Sequence, residues 1–289
     1  MTWIVGMPTL FGYSVGISDI RVTLANGSER DCLQKIYPIA ESIALGFAGS
    51  VAIGFRMVQV MKAWLQKDTP NTAWLPLEAF EIWPQIARDV FASAPAEEQA
   101  LHCHLIVLSA DPQAKNGMGP TTYAHILESP NFQVVQIRVN KVAAIGSGNF
   151  IEKYKDSLKE LSDNHEQNFS MMKMETNNPG GMGAHLGFRI THLIKRTNPA
   201  GISSHLHYCW VYLGRTIIRT NDDFTIGPWT ALDGGSGINQ LDGTGDSPAF
   251  IPPAIQEGTH FTMPRIAQSW EELEQILRSS GARAEGSIA

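Results

Sequence analysis

Short apolar runs fill the first fifty residues and break at turn residues. Residues 2–7 (TWIVGM) predict a short apolar strand bounded by Pro8 and Gly12, and residues 13–18 (YSVGIS) predict the returning strand, ending at Asp19 and Arg21. A further strand pair follows, KIYPIAE at 35–41 and SIALGFAG at 42–49. From Ser50 the period changes. Val51, Phe55, Val58, Met61 and Leu65 recur at helical spacing and predict an amphipathic helix over 50–67.

The stretch 68–76 (DTPNTAWLP) reads as a loop. A second helix is predicted over 77–93, with Phe80, Trp83, Ile86 and Val90 on one face and an expected kink at Pro84. Strands resume at 101–109, 121–127, 132–139 and 142–149. A charged helix near 149–162, a polar Met-containing stretch at 163–179, an amphipathic helix over 183–197 and a strand at 203–213 follow. Residues 214–264 read as turns and loops. Residues 269–279 read as a terminal helix, with Ser269 and Glu272 spaced as a capping box. This order predicts an α+β fold, a sheet-on-sheet core covered by helices on both outer faces, that is, an αββα sandwich of four layers. The expected organisation is one unit over 2–213, with helical inserts near 66–98 and 150–180, followed by a loop-rich extension over 214–289.

Composition and charge narrow the function classes. With 22 Lys+Arg against 28 Asp+Glu in 289 residues, the net charge is −6. A mildly acidic chain argues against nucleic acid as partner, because neutralising phosphates needs a basic surface. No apolar run approaches the roughly 18–20 residues that span a bilayer. The start of the chain lacks the basic and apolar regions of a secretory signal. Cys32, Cys103 and Cys209 are too few and too scattered for a disulfide framework, so reduced thiols in a cytoplasmic protein are expected.

The candidate chemistry begins at Thr2. A small second residue generally permits removal of the initiator Met, leaving a threonine that carries both a hydroxyl nucleophile and an α-amine. That amine has a reference pKa of about 7.7–8.0 and can take the hydroxyl proton near neutrality. The motifs downstream are what raise this above an ordinary N-terminus. They are Ile4-Val5-Gly6, then Ser18-Asp19-Ile20-Arg21-Val22-Thr23, Lys35-Ile36 and Gly46-Phe47-Ala48-Gly49-Ser50-Val51-Ala52. Further on come Gly119-Pro120 with Tyr123, and Ala144-Ile145-Gly146-Ser147-Gly148. Together with Thr2 they resemble the proteasome β-type subunits, closest to the HslV-like bacterial branch. The resemblance spans residues 2–150, weakens across 180–213 and is absent beyond 214.

That resemblance implies the αββα sandwich of the N-terminal-nucleophile (Ntn) hydrolases and assigns roles. Thr2 would be the nucleophile and its amine the general base. Lys35 would lie beside the hydroxyl, with Asp19 holding it charged. The Gly49 N–H would form the oxyanion hole. Ser147 would support the amine, and Thr23 would align a peptide as an added strand. Val22, Phe47 and Val51 would line an apolar side-chain pocket, implying preference for hydrophobic or aromatic residues. The expected activity is threonine-type hydrolysis of peptide bonds without metal or organic cofactor. The resemblance further implies a homo-oligomeric ring, a peptide or unfolded-protein substrate and a separate unfolding ATPase as possible partner. Two rivals stand beside it, an Ntn amidohydrolase of a small amide and a catalytically silent ring or scaffold protein. One departure is noted: the stretch 195–201 (KRTNPAG) offers no acid to complete the support of the amine.

Other signals carry less. Singly, Asp19 and Arg21 read as a solvated strand end, Lys35 as a surface lysine, Gly49 as a strand-to-helix turn and Ser147 as a helix N-cap. The pairs His102/His104 and His205/His207 each share a strand face, but nothing around them completes a metal-ligand set. Asp233-Gly-Gly-Ser-Gly and Asp242-Gly-Thr-Gly-Asp246 lack the spacing of a calcium loop. Met171, Met172, Met174 and Met182 suggest adaptable packing. Cys32, three residues before Lys35, would be reactive only if exposed.

Overall fold

The first strand uses its alternation on both faces. In β1 (Trp3–Pro8), Trp3, Val5 and Met7 enter one apolar cluster and Ile4 enters another, as the two-residue side-chain period of a strand requires. The computed structural model describes residues 2–24, 27–67, 76–116, 119–167, 200–220 and 264–279, with eight helical positions between 183 and 197.

Antiparallel partners flank β1 on both edges: β2 (Tyr13–Asp19) and β10 (Ala143–Gly146). With β11 (Leu206–Tyr212) and β12 (Arg215–Thr220) they form a five-stranded sheet in the order β10-β1-β2-β11-β12. A second five-stranded sheet has the order β5-β6-β7-β8-β9. Its strands are β5 (Ile36–Ala40), β6 (Ile43–Gly49), β7 (Cys103–Asn116), β8 (Gly119–Glu128) and β9 (Val134–Ile137). Between β2 and β5 the chain makes a separate hairpin of β3 (Arg21–Thr23) and β4 (Glu29–Asp31).

Three apolar clusters join these sheets to helices. Ile4, Ile145, Cys209 and Val211 of the first sheet meet Ile36, Ala44, Ile106, Leu108 and Ile126 of the second. Small residues let the two approach: a Cβ on Gly16 would stand 2.5 Å from Leu108 Cδ1. On the second sheet, Leu45, Phe47, Leu105 and Val107 share a cluster with α1 (Val51–Lys67), α2 (Pro76–Ala92) and the terminal α5 (Trp270–Ser279). On the first sheet, Val5, Val15, Tyr208 and Trp210 share a cluster with Tyr154 and Leu158 of α4 (Glu152–Gln167) and with Leu186, Ile190 and Ile194. The last three recur at i, i+4, i+8, one stripe of a helix. A short α3 (Ala96–Ala100) precedes β7. The chain is thus a mixed helix-and-strand structure built on antiparallel sheets. Among the described residues, no helix is long and apolar enough to cross a membrane.

Several expectations are corrected. The segment after 213 is not all loop: β12 pairs with β11 through Thr216↔Val211 and Ile218↔Cys209 and forms the sheet edge. The terminal helix is not peripheral, since Leu273 and Leu277 are fully buried. Ser269 caps it, its Oγ accepting from Glu272 N at 3.2 Å, and the Glu272 carboxylate accepts from Gln268 N, one residue earlier than a capping box predicts. The expected strands at 101–109 and 121–127 are the inner parts of a longer hairpin that runs on to Asn116↔Gly119. The expected strand at 142–149 stops at Gly146, and Ser147–Phe150 form a 3₁₀ turn before α4. The helix expected over 77–93 spans Pro76–Ala92 with Pro84 inside it. Hairpin β3–β4 carried no periodic signal because its strands are three residues long. The turns around Asp233 and Asp242 and the cluster Met171, Met172, Met174 and Met182 lie outside the described residues.

Candidate active site

Thr2 enters β1 between two turns that grip its backbone. Its N–H donates to Ser147 Oγ at 2.9 Å, and its carbonyl accepts from Ser147 Oγ at 3.2 Å and from Gly148 N at 3.4 Å. Ser147 reaches this position because β10 pairs with β1 in the register Trp3↔Gly146. Gly146 permits the approach: it has φ 91°, and a Cβ there would stand 2.2 Å from Thr2 O, a place no other residue can occupy without strain. Trp3 seals the next position, its ring 4.3 Å from that of Tyr154.

Asp19 ends β2, and its carboxylate organises what lies beside Thr2. Oδ1 accepts from Trp3 N at 2.8 Å and from Lys35 Nζ at 3.0 Å, while Oδ2 accepts from Arg21 N at 3.0 Å and from the same ammonium at 3.0 Å. One oxygen therefore joins the lysine to the amide that follows Thr2. Lys35 Nζ also donates to the Arg21 carbonyl. The pair is enclosed, Lys35 being 1% and Asp19 0% exposed at the side chain. Burial pulls the Lys35 ammonium below the ordinary lysine range, and Asp19 opposes that by charge and hydrogen bonding. Asp31 acts on the ammonium in the same direction as Asp19, so its charged state is set by the anions around it.

Gly49 ends β6 with φ 101°, and a Cβ there would meet His102 O at 2.6 Å. The turn is fixed by its successor. Ser50 N donates to His102 O at 2.8 Å, Ser50 Oγ accepts from Ile53 N at 3.1 Å to cap α1, and the same hydroxyl donates to Glu98. Thr23 lies half-buried on β3, paired with Glu29.

The three residues expected to line a pocket share one buried apolar cluster. Val22, Phe47 and Val51 are 2%, 1% and 3% exposed. The Phe47 ring stacks on Tyr37 at 6.0 Å, meets Phe55 at 5.6 Å, and lies directly over Gly54. A solvent-facing cleft of about 560 Å³ lies instead on the flank of hairpin β3–β4, lined by Arg21, Glu29, Arg30, Asp31, Cys32, Pro264, Arg265 and Ile276.

Among the remaining candidates, Cys32 is buried, and burial pushes its thiol up to about 11, so it is no nucleophile at neutral pH. His104 Nδ1 lies 3.9 Å from Glu128, and the His102 and His104 rings are 6.3 Å apart. His207 is buried, whereas His205 lies 3.2 Å from Asp31. Among the described residues no group of three or more His, Cys, Asp or Glu side chains is arranged to hold a metal ion.

Two features escaped the sequence reading. The backbone of Arg21 contacts both members of the buried ion pair. Asp31 gathers Arg21, Ser203 and His205 around one carboxylate. The only local sign of the second is the charged triplet Glu29-Arg30-Asp31, which reads as an exposed turn. Of the stretch 195–201, Thr197, Ala200 and Gly201 are described, and Thr197 Oγ1 lies 2.8 Å from the Tyr154 hydroxyl. Compared with family models, the chain matches none, and no curated protein matches it.

Proposed function

We propose that the chain is an N-terminal-threonine hydrolase that opens amide bonds through an acyl-enzyme on Thr2 once Met1 is removed. The observation that carries this reading is the shared carboxylate: Asp19 holds Lys35 and the amide following Thr2 on one oxygen, while Ser147 accepts a hydrogen bond from Thr2 N. The two sheets with helical clusters beyond them support assignment to the four-layer αββα Ntn sandwich of proteasome type.

In the proposed reaction Thr2 Oγ attacks the substrate carbonyl and its proton passes to the α-amine. The Lys35 ammonium lowers the cost of that transfer by favouring the alkoxide. The Gly49 N–H faces the developing oxyanion. Collapse of the tetrahedral intermediate expels the leaving amine with the transferred proton, and water then hydrolyses the ester, restoring Thr2. Thr23 offers its strand edge to an extended peptide. Assembly into a homo-oligomeric ring that takes peptide or unfolded protein, with or without an unfolding ATPase, belongs to the same proposal, as does a cytoplasmic setting.

The burial of Val22, Phe47 and Val51 modifies the expected specificity. A filled pocket favours small side chains before the scissile bond over the hydrophobic or aromatic ones implied by residue type. It equally favours a second reading, hydrolysis of a small amide. Size-exclusion mass measurement separates the two: a ring supports the peptidase and a monomer or dimer the amidohydrolase.

The deciding experiment is intact mass before and after a peptide epoxyketone with alanine before the warhead, alongside Thr2→Ala. That warhead needs a hydroxyl and a free α-amine on one residue to close its ring. Loss of Met1 plus one adduct, absent in Thr2→Ala, is the expected result. Retained Met1 without adduct would sink the hydrolase reading in favour of a silent scaffold.

A further inference from the structure

The ion pair of Lys35 and Asp19 depends on Arg21, whose N–H and carbonyl contact one member each. What fixes Arg21 is its own side chain. Nε and Nη2 reach the two oxygens of Asp31 at 2.7 and 3.3 Å, and Nη1 reaches Glu29 at 2.9 Å. Asp31 is in turn tied to the chain entering β11. Ser203 Oγ donates to its Oδ2 at 2.6 Å, and His205 Nδ1 lies 3.2 Å from the same oxygen.

Serine, histidine and aspartate here do not make a nucleophilic triad. Ser203 Oγ and Asp31 Oδ2 both face Nδ1 of His205, at 3.3 and 3.2 Å, whereas a proton relay needs the serine and the acid on opposite ring nitrogens. Ser203 is fully buried and its hydroxyl is spent on the carboxylate. The cluster is built to hold an anion in place, with Arg21, Ser203 and His205 all directed at Asp31.

We propose that Asp31 is a positioning residue for Lys35: it locks Arg21, the backbone seat of the ammonium, and adds a second negative charge that keeps this lysine protonated beside Asp19. The inference rests on the reading of Lys35 as part of the Thr2 site. Burial would raise the Asp31 carboxyl, but the bonds from His205, Arg21 and Ser203 outweigh it and hold the group well below the usual range, so it is an anion throughout the working pH. Asp31 acts on Lys35 through space in the same direction as Asp19. Among the described residues, the other charged or titratable groups around the two include Glu29, Arg30, Cys32 and, from the segment across the cleft, Arg265. The buried Cys32 thiol is neutral at working pH, and Arg30 is exposed.

The test is the titration of the Lys35 Nζ resonance in protein labelled with ¹⁵N-lysine, assigned with Lys35→Met, together with the pH dependence of epoxyketone adduct formation. Asp31→Asn keeps size and shape while removing the charge. It is expected to lower the Lys35 midpoint by about one pH unit and to move the alkaline limb of adduct formation acidward by the same amount. Arg21→Gln breaks the same lock but leaves the Asp31 charge in place, so it is expected to lower the midpoint by less than Asp31→Asn does, and it serves even if Asp31→Asn does not fold. A merely structural role would lower thermal stability in both variants without moving either midpoint, and an unmoved midpoint in a folded variant overturns the proposal. If both midpoints shift while wild type forms no adduct, the threonine-hydrolase reading fails and the assignment of Asp31 to Lys35 stands.

Discussion

Lys35 Nζ lies 3.0 Å from each carboxylate oxygen of Asp19, and the pair is shut away from solvent. Enclosure makes each partner depend on the other. Removing one leaves an uncompensated buried charge, at a cost of about 3–5 kcal/mol. Asp19→Asn and Lys35→Met are each expected to lose that much in urea unfolding. The double variant Asp19→Asn/Lys35→Met, which keeps an acceptor for the Trp3 amide, is expected to recover part of the stability without recovering adduct formation. A double variant no more stable than the singles would show that the pair contributes more than mutual neutralisation.

The turn at 146–148 is expected to be sensitive for two separate reasons. Ser147→Ala removes one hydrogen bond to Thr2 N, worth about 1 kcal/mol, and should slow adduct formation by about fivefold with little change in melting temperature. Gly146→Ala places a Cβ 2.2 Å from Thr2 O at φ 91°. It is expected to cost about 1–3 kcal/mol or more through strain. Comparing adduct rate with melting temperature for both variants distinguishes the chemical role from the conformational one.

Phe47 is buried among Tyr37, Phe55 and Gly54, and the proposed specificity for small side chains rests on that ring. Phe47→Ala should destabilise by about 3–5 kcal/mol, because the ring contacts Tyr37, Phe55 and Gly54. In return it should admit epoxyketones with leucine or phenylalanine before the warhead. A panel graded by side-chain size reads this directly, with wild type confined to the small members.

His125 supplies an acid-sensitive element away from the site. It is 2% exposed with its ring 3.8 Å from that of Phe80, and burial lowers its pKa from 6.5 to about 4. Between those values the unfolded chain binds the proton and the folded chain does not. Stability is therefore full above pH 6.5 and declines as pH falls toward 4, by up to about 3 kcal/mol. His125→Leu is expected to flatten that decline, measured as urea midpoints across pH 4–7, and an undiminished slope would assign it to other groups.

The C-terminal helix belongs to the fold. Leu277 is 1% exposed in the cluster that also holds Phe47 and Phe55, and Ala267 bridges to Leu33 two residues before Lys35. Leu277→Ala should cost about 2–5 kcal/mol, whereas a helix merely tethered to the domain would tolerate the change.

Local pattern determined a good part of this protein. Short apolar runs bounded by turn residues placed β1, β2, β5 and β6 within a residue or so, and helical spacing from Val51 to Leu65 marked α1, because these signals are carried by neighbours in the chain. Thr2, Asp19, Lys35, Gly49 and Ser147 stand out in the sequence as an ordered set, and strand register brings Ser147 to the Thr2 backbone and Asp19 to the Trp3 amide and Lys35. Strand β12 was not legible, since Arg215–Thr220 becomes a sheet edge only by pairing with β11.

Only the tertiary structure decided what surrounds that set. Val22, Phe47 and Val51 are apolar in sequence whether they line a pocket or fill it. The answer depends on Tyr37, Phe55 and Gly54 arriving from other elements. Asp31 reads as a solvated charge until Ser203, 172 residues away, closes on it. Strand and helix periods are written between near neighbours. The filling of a cavity and the partner of a buried charge are set by contacts across the whole chain, whose geometry exists only once both sheets have packed.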